Sequence, residues 1–195
     1  ERSKWLLRYM RDHGNPAKLL QALPYKVVSD PRLMAERATL TPPQKREGIT
    51  YFCGQALEVW GPDTLDKGMG GSEEAVVYLS RELSKLGNRV TVFNDREEPH
   101  EDGDVSYQPW VMLNPHDTFD TFIAWRAPEF IKGVKARKKF VDLHDTVEPE
   151  RVYAVAKEVD KFFVKSKYHR SLYPDLPDDK FVIVGNGIVK EHFDD

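Results

Sequence analysis

With a single cysteine, Cys53, in 195 residues, the chain can form no internal disulfide, so its fold has to rest on packing, and a lone thiol fits a reducing compartment. No apolar run approaches the length of a bilayer span, and the start shows no secretory signal pattern. Both absences point to a cytoplasmic protein. Internal repeats and low-complexity tracts are missing too. So is the tight glycine fingerprint of a dinucleotide site directly after the first strand-like run, where the chain reads ITYFCGQ, and so is a phosphate loop ending in Lys and Ser/Thr.

The length allows one well-cored domain plus an appendage and is too short for two full-sized α/β domains. A start at Glu1 and a charged end at Asp195 suggest a piece of something longer. The net charge of −3 hides an asymmetry: residues 1–46 hold ten Lys/Arg against four Asp/Glu, which is +6, leaving −9 for the remainder. This basic lead contains WLLRYMRDHGNPAKLLQAL, suited to one or two short helices, and LTPPQKREG, which reads as a linker. It is either a surface for weak contact with a membrane or another polyanion, or the tail of a preceding domain with a solvated linker. The expected layout is the lead over 1–46, one α/β domain over 47–190, and the start of an interdomain linker over 191–195.

From residue 48 onward apolar runs suited to buried strands alternate with helical periodicity. ITYFC, RVTVF, FDTFIAW, RKKFVDL, DKFFV and KFVIV are strand-like, and 150–158 and 166–173 are helix-like. Between the first two strands lies a helix with Ala75, Val76, Leu79, Leu83 and Leu86 at spacings of three and four, stopped by Gly87 and Asn88. Such alternation predicts a Rossmann-like parallel sheet with helices on both faces, whose ligands bind at the carboxyl ends of the strands. The residues following the strands are therefore the candidates: the loop from Gly54 to Gly71, Asn94 and Asp95, Trp125 and Arg126, His144 and Asp145, Ser166 and Lys167, and Asn186 and Gly187.

The helix entrance, KGMGGSEE, has three glycines in four positions (Gly68, Gly70 and Gly71), then Ser72 where an N-cap belongs, then Glu73 and Glu74 at the positive end of the helix dipole. Backbone N–H groups at such an entrance can hold an anion without a cation, although a flexible turn has the same composition. His144 reads as a sugar or phosphate contact, as a structural histidine, or, with Asp142 and Asp145, as a metal ligand; alternation along a strand sends neighbouring side chains to opposite faces and weakens the metal reading. Arg126 either meets an anion with its fork of donors or pairs with Glu129. Ser166 suits a helix cap, Asn186 and Gly187 a turn, and Glu74 and Glu82 solvated charges on the helix.

GGSEEAVVYLSRELSKLGNRVTVF, FDTFIAWRAPEF, VDLHDTVEPE and DKFFVKSKYHRSLYPDLPDDKFVIVGNGI together resemble the amino-terminal half of retaining glycosyltransferases of family 4, which have the GT-B fold. The resemblance spans about residues 48–190. Members usually carry Pro-Asn-Gly-Ile-Asp at the last motif, where this chain has Gly185 and Val189. The resemblance implies transfer of a sugar from a nucleotide-sugar donor to a carbohydrate or other hydroxyl-bearing acceptor held by this half, the donor being held by a second, carboxyl-terminal domain outside these residues. It further implies that Gly70 and Gly71 approach the donor diphosphate and that His144 lies near the transferred sugar as the catalytic candidate. Ser72, Arg126, Asp145, Ser166 and Lys167 complete the candidate donor- and acceptor-binding set. No cofactor, metal or nucleic acid enters this expectation. Two other functions compete: a non-catalytic carbohydrate- or nucleotide-binding scaffold with the same fold, and a nicotinamide-dependent oxidoreductase, which the missing glycine fingerprint disfavours.

Overall fold

A computed structural model describes Asp12 and residues 42–187; the helical reading of the lead and the 191–195 linker lie outside the described residues. Eight strands form one sheet: β1 (Lys45–Phe52), β2 (Val90–Asn94), β3 (His100–Asp102), β4 (Val105–Pro109), β5 (Thr118–Trp125), β6 (Lys135–Asp142), β7 (Lys161–Val164) and β8 (Phe181–Ile183). Their order is β3-β4-β2-β1-β5-β6-β7-β8. All neighbours run parallel except the antiparallel pair β3 and β4. The chain is thus α/β with a Rossmann-like, mostly parallel sheet.

β1 sits in the middle, and the order runs outward from it in both directions, so the carboxyl ends of β1 and β5 flank the switch point of the sheet. β1 begins at Lys45, four residues before the expected ITYFC run. Its register shifts between Arg46 and Ile49. Gly48 makes that shift possible at φ +79°, where a Cβ would strike the Arg89 carbonyl. β3 and β4 were not expected from the sequence.

Alternation along the strands splits the core into two faces. Tyr51, Cys53, Val90, Val92, Ile123 and Trp125 point to the face covered by helix α1 (Gly71–Lys85), where Val76 and Val77 meet them. Phe52, Phe93, Phe122, Ala124, Val141 and Phe162 point to the other face, closed by Ile131, Val152, Val155 and Tyr173. Each of the fully buried aliphatics contributes about 1.5–3 kcal/mol on removal from water. The stripe that α1 buries is Val76, Val77 and Ser80; of the expected row, Leu79 and Leu83 pack partly buried against the same core, while Leu86 is 79% exposed. Ala75 and Leu79 also border the carboxyl ends of β6, β7 and β8. On the second face lie two short helices, α2 (Pro149–Tyr153) and α3 (Lys167–Ser171). The expected helix over 150–158 gives way to turns after Tyr153.

Candidate functional site

The two halves of the carboxyl edge are built differently. Beyond β2, the long chain from Cys53 to Gly70 is fastened in place. Asn94 Nδ2 donates to the Trp60 carbonyl at 2.6 Å, Asp95 accepts from the Ala56 N–H at 3.1 Å, and Arg96 pairs with Asp63 at 3.3 Å. Trp60 is 2% exposed and packs against Trp125 with ring centroids 5.8 Å apart. Asn94 and Asp95, candidates by position, therefore hold the loop.

Beyond β6, β7 and β8 the edge is open. A cleft of about 510 Å³ lies between one side of α1 (Gly71, Glu74, Ala75, Tyr78, Leu79 and Glu82) and the strand ends, which supply Asp142, His144, Lys165 and residues 184–187. Gly71 and His144 thus share one cavity. Glu74 and Glu82, expected as solvated charges, border it on the helix side, Glu82 with its side chain 65% exposed. They stand two turns apart with Tyr78 midway, so all three lie on one stripe of α1.

The helix entrance departs from the expected cap. Gly70, with φ −63°, is the N-cap, and the helix begins at Gly71. Ser72 lies inside the first turn, where its hydroxyl donates to Glu73 Oε2 at 2.7 Å. Of the three glycines only Gly68 has a positive φ. A Cβ at Gly71 would meet nothing within 4 Å, whereas one at Gly70 would run into the Glu73 carboxylate. Glu73 has curled over the start of its own helix, where the dipole favours an anion. Arg126 Nη1 reaches its Oε1 at 3.4 Å.

Arg126 departs from expectation as well. It has a left-handed backbone, φ 63°, with its N–H bonded to the Asp142 carbonyl at 2.9 Å. Its guanidinium lies 4.8 Å from the Trp125 ring centroid and pairs with Asp145 and Glu73. Glu129, the alternative partner, is held instead by Arg151 at 2.7 Å. Asp145 thus neutralises Arg126. Ser166 caps α3, accepting the His169 N–H at 3.0 Å. Lys167, the first residue of α3, is exposed and absent from the cleft lining.

The residues at the back of the cleft form one network. Asp142 ends β6 with its side chain 2% exposed, and its Oδ2 accepts the Tyr51 hydroxyl from the centre of the sheet. Lys165 Nζ stands 2.8 Å from Oδ1 and forms an ion pair with it. Burial alone would raise the Asp142 carboxyl, but the Lys165 ammonium and the Tyr51 hydroxyl outweigh it and hold it below the usual carboxylate range. The Tyr51 hydroxyl is pushed far up, first by burial and then by the Asp142 charge. The Cys53 thiol is raised for the same two reasons, which makes it a packed core atom and a poor nucleophile.

His144 is the member of this network with a vacant atom. Its side chain is 5% exposed, and Trp125 Nε1 donates to Nδ1 at 3.3 Å. Asp142 Oδ2 is 3.6 Å from the same nitrogen, beyond hydrogen-bond reach. In the neutral ring, accepting at Nδ1 places the proton on Nε2. Nε2 has no partner in the protein, and the residue lines the cleft. His144 therefore carries one unused, buried donor in a residue that lines the cavity. Among the described residues no three His, Cys, Asp or Glu side chains are grouped to hold a metal ion, and no helix is long and apolar enough to cross a membrane.

Sequence reasoning missed Lys165 by one residue, choosing Ser166 and Lys167 after the same strand. It also read Asn186 and Gly187 as a turn, where they line the cleft. No family model matches the chain, and neither a curated protein nor a solved structure matches it.

Proposed function

We propose that this chain is the acceptor-side half of a retaining glycosyltransferase, with the donor nucleotide held by a second domain across the cleft. The observation that carries the reading is the buried, unpartnered Nε2 of His144, in a residue that lines a cavity shared with the glycine entrance of α1. Transfer of a sugar needs an acceptor hydroxyl held against the donor carbon and charge stabilised as the glycosidic bond loosens. His144 supplies a fixed donor for a sugar oxygen, Trp125 fixes its tautomer, and the N–H groups of Gly71 and Ser72, which have no preceding turn to bond to, face developing negative charge on a leaving phosphate.

One observation favours the non-catalytic scaffold instead. Arg126 and Lys165, the cations nearest the cleft, already hold carboxylates, so neither stands ready for a diphosphate. The experiment that separates the two readings incubates the full-length protein with a panel of nucleotide sugars. It measures nucleotide release and reads the anomeric configuration of any product by NMR. Acceptor-stimulated release with retention is expected, while the 195-residue chain alone gives none. Nucleotide or sugar binding without release by the full-length protein would leave only the scaffold.

A further inference from the structure

Resting on the reading of the cleft as an acceptor site, we propose that it selects a saccharide without anionic groups, stacked by one ring face on Tyr78 with its hydroxyls accepted by Glu74 and Glu82. The three residues recur every four positions along α1, so their side chains form a row on one helix face. That face is a wall of the cavity. An aromatic ring flanked by carboxylates is a chemical match for a pyranose, whose C–H face is apolar and whose rim consists of hydroxyl donors. His144, a lining residue from the strand ends whose Nε2 has no partner in the protein, would give the sugar a donor for one of its acceptor oxygens.

Charge sets the selectivity. The Asp142 carboxylate and the Lys165 ammonium cancel at 2.8 Å. Arg81, whose guanidinium lies 5.9 Å from the Tyr78 centroid, is committed to Asp102 at 2.6 Å. Lys85 takes Oε1 of Glu82 at 2.6 Å on the exposed helix surface, which leaves the carboxylate's second oxygen to accept a hydroxyl and most of its charge cancelled. Glu74 then tips the cavity to a negative balance, and a phosphate or carboxylate on the ligand meets repulsion, because Lys165, the one Lys or Arg among the described lining residues, is already paired.

The test titrates the full-length protein with methyl gluco-, manno- and galactopyranoside and with the corresponding hexose 6-phosphates, by saturation-transfer NMR at low salt. At least one methyl hexoside is expected to bind, and its 6-phosphate counterpart about tenfold or more weaker. Glu74→Gln combined with Glu82→Gln should shrink that gap to about threefold or less as the negative balance is removed. Tyr78→Ala should weaken hexoside binding about tenfold, and Tyr78→Phe should not, since the ring face does the holding. Binding of the 6-phosphates as tightly as the hexosides, wild-type affinity in Tyr78→Ala with helix content unchanged by circular dichroism, or no hexoside binding at all would each overturn the proposal. Sugar transfer to an anionic acceptor would overturn it while leaving the transferase reading intact. Selective hexoside binding without nucleotide release would uphold it and remove the transferase reading.

Discussion

Over β2 the carboxyl edge of the sheet is sealed, with Asn94, Asp95 and Arg96 spent on fastening the chain that returns across it. Over β6, β7 and β8 the same edge carries Asp142, His144 and Lys165 beneath an open cavity. The two halves share strand direction, residue types and distance from the core, and they differ in whether a loop comes back over them. A polar group at a strand end has to find a partner. Where the chain supplies one, the group becomes a fastener, and where it does not, the vacancy is available to a ligand.

The comparison can be broken most decisively at His144. His144→Ala in the full-length protein removes a donor with no partner in the folded state, so turnover should fall by about two to four powers of ten, beside the roughly 1–3 kcal/mol of stability given up with the Trp125 bond at Nδ1. A variant that melts early and turns over normally would make His144 a fastener as well. On the sealed half the expectation reverses. Asn94→Ala strands the Trp60 carbonyl in the interior and should cost about 1–3 kcal/mol in urea unfolding, with the transfer rate per folded molecule unchanged. A rate loss there without a stability loss would erase the division between the halves.

Gly71→Val places a branched side chain where the structure leaves open space at the mouth of the cleft. It should weaken donor binding by about tenfold, with turnover at saturating donor barely altered. Unchanged donor affinity would detach the helix entrance from the site. The smallest effect is read in acid. Because the folded-state contacts of Asp142 depress its carboxyl, the stability it brings is complete above its unfolded value of about pH 3.9 and is lost as the pH falls through its lower folded value. The gap in urea midpoint between wild type and Asp142→Asn should therefore narrow between neutral pH and pH 3. A gap that stays constant would show that Asp142 acts by shape alone.

The sheet was legible wherever a strand is buried on both faces, since such strands read as continuous apolar runs. β3 and β4 escaped because HED is wholly polar and VSYQP alternates and ends in proline, so neither makes a run. The carboxyl edge followed from topology, which is why the glycine entrance and His144 could be named together. Lys165 was lost because a shift of one residue at a strand end exchanges the faces. The row formed by Glu74, Tyr78 and Glu82 was lost for a different reason: apolar spacing marks the buried side of a helix from Val76 and Val77 only to within about one position. The cleft wall begins at the neighbouring residue. Whether a polar strand end is sealed or open depends on the path of residues 53–70, a long-range fact that no local pattern carries.

Glu73 behaves as a ligand the protein carries with it. Its carboxylate sits over Gly70 at the positive end of α1 and is met by Ser72 and Arg126. A tethered group of this kind competes with free anions at an effective concentration on the order of millimolar. An anion that is to reach the helix entrance has to displace this carboxylate, and one joined to a group held elsewhere would have a second foothold for doing so.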